Sequence, residues 1–169
     1  MRRLRGVLVG IAVAGAVLAG PMPGSASSET VVRGGYLSLL PTTFTHVKPN
    51  LHHPRRVAFT LVGGSVWDGS FTGHTYYTAS GTYDLVSGDV SGTVDERLVG
   101  VVTATRRRGI LHVAGTFRVD GATNAAIVSE EILGGTGAFA GSRGWLEFDA
   151  FILPTSTGYG GYHGVWRRG

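Results

Sequence analysis

Apolar and polar positions alternate one by one over Trp145–Ile152: Leu146, Phe148, Ala150 and Ile152 fall on one face, with Trp145, Glu147, Asp149 and Phe151 on the other. A period of two marks a strand with one face against a core. Similar short runs recur upstream, rich in Val, Thr, Tyr, Phe and Trp and punctuated by Gly, Asp and Ser. They are Val57–Val62, Val66–Gly73, Thr75–Leu85, Asp89–Glu96, Leu98–Thr105, Ile110–Val119 and Asn124–Leu133, followed by Gly144–Ile152 and Tyr159–Arg167. After the first 26 residues no window holds the i, i+3, i+4, i+7 apolar spacing of a helix. The pattern predicts an all-β chain. About eight consecutive strands with short connections predict an antiparallel up-and-down β-barrel, because closure removes exposed edges. An open sandwich is the alternative.

Two segments lie outside that rhythm. Residues 1–26 carry a basic start (Arg2, Arg3, Arg5), an apolar run from Val7 to Ala19 too short to span a bilayer comfortably, and small residues at Gly24-Ser25-Ala26. These are the parts of a signal peptide, with the mature start near Ser27, so the protein is expected to be secreted without stable membrane insertion. Residues 27–54 read as an N-terminal leader. It has strand character at Val31-Val32 and Tyr36–Leu40 but is interrupted by Pro41, Pro49 and Pro54. Residues 55–169 form the expected barrel domain.

Charge changes the picture once the signal segment is set aside. Three of the 15 basic residues leave with it, against 11 acidic ones, and the formal charge falls from +4 to +1. A near-neutral protein has no electrostatic case for nucleic acid or an anionic membrane. The one basic run, Arg106-Arg107-Arg108, reads as a solvated hairpin tip. There is no cysteine, so stability must come from packing rather than disulfides.

The densest signal is Ile132-Leu-Gly-Gly-Thr-Gly-Ala-Phe-Ala-Gly-Ser-Arg-Gly144. Gly135 to Ala140 fits a dinucleotide fingerprint in letters only, since such a site needs a helix to follow and Trp145–Ile152 alternates as a strand. The expected role is a structural turn built on Gly134, Gly135, Gly137, Gly141 and Gly144, with Phe139 turned inward as a plug. Six histidines (His46, His52, His53, His74, His112, His163) show no ligand spacing, so no metal and no cofactor are expected. No G-x-S-x-G elbow orders a nucleophile, and catalytic residues stay unassigned. In the acid pairs Asp95-Glu96 and Glu130-Glu131, one carboxyl of each must face the lumen, where burial raises its pKa and fits it for acid or base work. The alternative is a structural ion pair with Arg97, Arg118 or Arg143. Tyr77, Tyr83, His112, Glu130 and Glu131 are the candidates for lining a ligand cavity.

The runs Gly109-Ile-Leu-His-Val-Ala-Gly115 and Glu131–Gly144, with the closing Gly161-Tyr-His-Gly-Val-Trp166, resemble the allene oxide cyclase barrel-like superfamily. Its members include allene oxide cyclases, dirigent proteins and small exported bacterial proteins of unassigned role. The resemblance implies an eight-stranded antiparallel barrel, often a homotrimer, whose lumen shelters a small apolar molecule. The acidic, proline and asparagine residues of the plant cyclases have no counterparts over Arg55–Gly73, so no catalytic residue is carried over. Three functions follow as expectations: a barrel that binds or confines a small apolar metabolite, a cofactor-free isomerase or cyclase, and a structural envelope protein with a filled lumen.

Overall fold

The structure, a computed structural model, describes residues 28–38, 43–152 and 157–169. Residues 1–26, expected to be a signal peptide, and Ser27 lie outside the described residues. Nine strands run in chain order: β1 (Glu29–Ser38), β2 (Thr43–Pro49), β3 (Arg56–Gly69), β4 (Phe71–Asp84), β5 (Val90–Val102), β6 (Arg107–Val119), β7 (Ala125–Gly137), β8 (Arg143–Ile152) and β9 (Gly158–Arg167). Among the described residues there is no helix. From β3 to β9 each strand pairs antiparallel with the next. β1 then closes the ring, pairing with β9 along its length and with the end of β3 through Gly34–Ser38 opposite Gly69–Ser65. The fold is therefore an antiparallel barrel of eight strands, with β2 added along the other half of β3.

This differs from the sequence expectation in two respects. The barrel begins at Glu29 rather than Arg55, because the segment set apart as a leader supplies the strand that seals it. Nothing local marks that role: the partners of β1 lie on β9, at the far end of the chain, and on β3. The pairs of runs Val57–Val62 and Val66–Gly73, and Asp89–Glu96 and Leu98–Thr105, each fall largely on one strand, β3 and β5. Extended chain carries straight through Gly63-Gly64-Ser65 and through Arg97, which keeps the alternation by facing out between buried Glu96 and Leu98.

Inward positions pack one end of the lumen solid. Trp67, Phe71, Leu98, Leu111, Ile132, Phe139 and Leu146 have no exposed surface. Phe71 meets the Phe139 ring edge-on at 5.4 Å and lies parallel to Tyr162, whose centroid is 6.3 Å away. The Tyr162 hydroxyl accepts from the Phe71 N–H (2.9 Å) and donates to the Phe71 carbonyl (3.1 Å), so a polar tip is satisfied inside an apolar layer. The glycine-rich turn between β7 and β8 makes the plug possible. Gly134, Gly135 and Gly137, expected in the turn, belong to β7 and Gly144 to β8, so only Gly141 of the expected glycines lies between the strands. Gly134, Gly137, Gly141 and Gly144 have positive φ, and at Gly144 a side chain would also overlap the Val165 carbonyl of β9. Strand β8 follows the turn, not a helix, so no dinucleotide site forms there. Trp166 Nε1 donates to Ser142 Oγ at 2.7 Å and fixes the turn to β9.

Candidate functional site

The opposite half of the barrel holds a cavity of about 480 Å³. Its wall is largely apolar, from Phe59, Leu61, Val94, Phe117, Val128 and Phe148, and its mouth lies at the loops following β4 and β6. Those loops meet closely at the rim. The Gly121 N–H donates to Asp89 Oδ1 at 2.9 Å, and a side chain at Gly121 would collide with Gly88. Each loop is also folded by an aspartate accepting two N–H groups, Asp84 from Val86 and Ser87, and Asp120 from Ala122 and Thr123. These bonds hold both carboxyls below the usual aspartate range.

Two glutamates sit in the interior of this largely apolar bowl. Glu96 on β5 is 7 % exposed and Glu130 on β7 is 3 % exposed. The strand between them, β6, places Val113 opposite Glu96 and Gly115 opposite Glu130. Gly115 has no side chain to fill that position, and a Cβ there would overlap the Ser129 carbonyl. Ser65 Oγ donates to Glu96 Oε1 at 3.4 Å and is itself bonded to Thr75 Oγ1. Both Glu130 oxygens and Trp67 Nε1 are buried without a partner meeting hydrogen-bond geometry. The Trp67 indole N–H nonetheless lies near enough to Glu96 to favour its anionic form.

Burial pushes the Glu96 carboxyl up to about 7, against the opposing pull of Thr75, Ser65 and Trp67. Glu130 is raised well above the ordinary carboxyl range by burial first, and then by its neighbour Glu96 and by Asp95. Two carboxyls that close cannot both ionise in a dry site, so the pair holds at least one proton at neutral pH. Tyr36 on β1 also lines the bowl, and its phenol is raised by burial, then by Tyr77 and Glu96. Such a constellation can present a hydrogen-bond donor, an acceptor or a single negative charge to a molecule in the bowl.

The sequence candidates divide. Tyr77 and Glu130 line the cavity, and Tyr83 stands at its mouth, 40 % exposed. His112 and Glu131 do not: Glu131 is exposed, and His112 sits on the outward side of β6 between buried Leu111 and Val113. For Glu131 the reason is strand parity, because its neighbours Glu130 and Ile132 take the inward positions. Neither inward acid finds the arginine that a structural ion pair would need: Arg97 and Arg118 are exposed, and Arg143 Nη1 donates to the carbonyls of Leu133 and Ser142. Among the described residues no cluster of His, Asp and Glu could hold a metal ion.

Three site residues stand outside the sequence candidates for the cavity: Tyr36, Ser65 and Glu96. A signal for the acid exists. Glu96 is flanked two residues away by Val94 and Leu98, and Glu130 by Val128 and Ile132, whereas Asp95 has Thr93 and Arg97. An acid whose i±2 neighbours are all apolar belongs to the inward row. Tyr77 reaches the lumen because its strand partner is Gly63, where a side chain would overlap the Tyr77 ring.

In comparisons with family models, with curated proteins and with solved structures, nothing matches this chain.

Proposed function

We propose that this protein binds or confines a small, largely apolar molecule in the open half of its barrel, as an exported carrier-type protein. The observation that carries the reading is the cavity itself. At about 480 Å³ it falls within the size range of ligand sites, and its apolar wall with a few buried polar groups is the usual make-up of such a site. The resemblance to the allene oxide cyclase barrel-like superfamily agrees with it. A barrel serving only as an envelope building block has no use for unfilled interior space, so that alternative is the weaker one.

A second reading, a cofactor-free isomerase or cyclase, draws on the two proton-holding carboxyls beside Tyr36 and Tyr77. A donor and an acceptor held in one dry site suit proton movement on a confined substrate. Self-association, a homotrimer above all, belongs to the same proposal, and the exposed Trp145, Phe151 and Tyr159 on β8 and β9 are the surface it would use.

The test is native mass spectrometry with solvent extraction of protein secreted by its own host, run beside the Val94→Trp variant, whose indole fills the bowl. A co-purifying apolar molecule present with the wild type and absent from the variant is the expected result. The oligomer mass is read in the same spectra. Re-adding the extracted molecule to stripped protein separates the readings, because an isomerase converts it and a carrier returns it unchanged. Protein recovered empty in every preparation, with no thermal shift across a lipid and polyphenol panel, overturns both.

A further inference from the structure

The interior of the bowl carries two acids and nothing basic. Among the described residues lining it there is no Arg, Lys or His, and the ion pairs found among the described residues, Arg56–Asp84 and Arg167–Glu29, lie at the surface. Glu130 is almost fully buried and lines the cavity; the Glu96 carboxyl beside it is its near polar neighbour, and neither Glu130 oxygen has a partner in hydrogen-bond geometry. A buried carboxyl left this way costs free energy that a bound partner recovers. The walls around it are aromatic, from Tyr36, Phe59, Tyr77 and Phe117, and the faces of such rings attract cations. Two acids, an aromatic-rich lining and no competing base describe a receptor for positive charge on an apolar body.

We propose that the ligand is an apolar molecule bearing one protonated amine, which the Glu96–Glu130 pair receives within the bowl. The ammonium donates to the Glu130 carboxyl and neutralises the single charge of the half-ionised pair. The other groups facing the pair are neutral hydroxyl or indole donors: Tyr36 from β1, Ser65 and Trp67 from β3, and Thr75 and Tyr77 from β4. On the outer face beside the pair stand the exposed Asp95, Arg97 and Glu131, of which Asp95 acts on Glu130 and adds to the attraction. Because Glu96 ionises only near pH 7, an amine binding below that pH must drive one proton from the pair into solvent. This inference rests on the lumen-binding reading and narrows it.

The experiment uses three probes with one apolar body: 4-phenylbutylamine, 4-phenylbutanol and 4-phenylbutyrate, titrated calorimetrically into the full mature protein at pH 6 and pH 8. The amine is expected to bind at least about tenfold more tightly than the alcohol at pH 8, with the carboxylate weakest. At pH 6, titrations in buffers of different ionisation enthalpy should show about one proton released per amine bound. In the isosteric double variant Glu96→Gln/Glu130→Gln the amine advantage and the proton release should both vanish while the alcohol still binds, which also shows that the variant is folded. If amine and alcohol bind alike to the wild type, or the preference survives in the double variant, the amine inference falls and lumen binding stands. If none of the three binds, both fall.

Discussion

The two halves of the lumen are built by the same strands and carry opposite interiors. Towards the β7–β8 turn, the inward side chains are mainly large and apolar, and Phe139 stops the bore. Towards the rim loops, smaller residues such as Ala79, Val94, Ala126 and Val128 leave space, and two carboxyls stand where core residues would be expected. The packed half gains from burial and the close contact of its rings. The open half forgoes part of that gain and keeps two acids out of water, an arrangement that destabilises the fold unless something binds there. Stability and the proposed binding are thus separated along one axis, and each half can be perturbed while the other reports.

The largest effect is expected from the plug. Phe139→Ala removes a fully buried ring in contact with Phe71 and Trp166 and should cost about 3–5 kcal/mol, read by urea or thermal unfolding. Because the plug lies away from the cavity, a folded Phe139→Ala protein should retain its probe affinity; loss of binding in proportion to stability would mean that the halves are not separable.

A smaller effect of opposite sign is expected from the acids. An acid whose folded pKa stands above its unfolded one leaves stability whole below the unfolded value, and stability falls as pH rises towards the folded value. For Glu96 the window runs from about 4.5 to about 7 and is worth roughly 3 kcal/mol, with Glu130 extending the loss to higher pH. Wild-type Tm should therefore fall between pH 5 and pH 8. Glu96→Gln/Glu130→Gln should flatten that profile and raise Tm at pH 8, and a variant as pH-sensitive as the wild type would show that the fall arises elsewhere. The smallest change is expected from Gly63→Ala. The Tyr77 ring must swing aside, at about 1 kcal/mol because it is the free end of a side chain, and probe affinity should drop more than stability does. Equal affinity with reduced Tm would place Tyr77 outside the ligand's reach.

The split between the halves also explains what could be read from the chain. Leu146, Phe148 and Ala150 occupy the inner face as their alternation implies, and the glycine-rich segment reverses the chain between β7 and β8, with positive φ at Gly134 and Gly137 of β7, Gly141 of the turn and Gly144 of β8. Face assignment failed where both rows of a strand are apolar: around His112, Ile110 and Ala114 look as inward as Leu111 and Val113. A further obstacle is the bulge at His112/Val113, where Leu133 is the extra residue on β7 and the two strands fall out of step. The closing strand β1 was hidden for a different reason. Its value to the fold lies in pairing with β9, more than a hundred residues away, and no local pattern encodes a partner at that distance.

The Phe139 stopper has one more consequence. A vessel corked at its base has a single neck, so nothing can travel through it from one side to the other; whatever enters must leave by the same route. Residence time is then governed at the lip, where the Asp89–Gly121 bond latches two loops together. A ligand of the proposed kind would be held in such a container and could not be conducted across it.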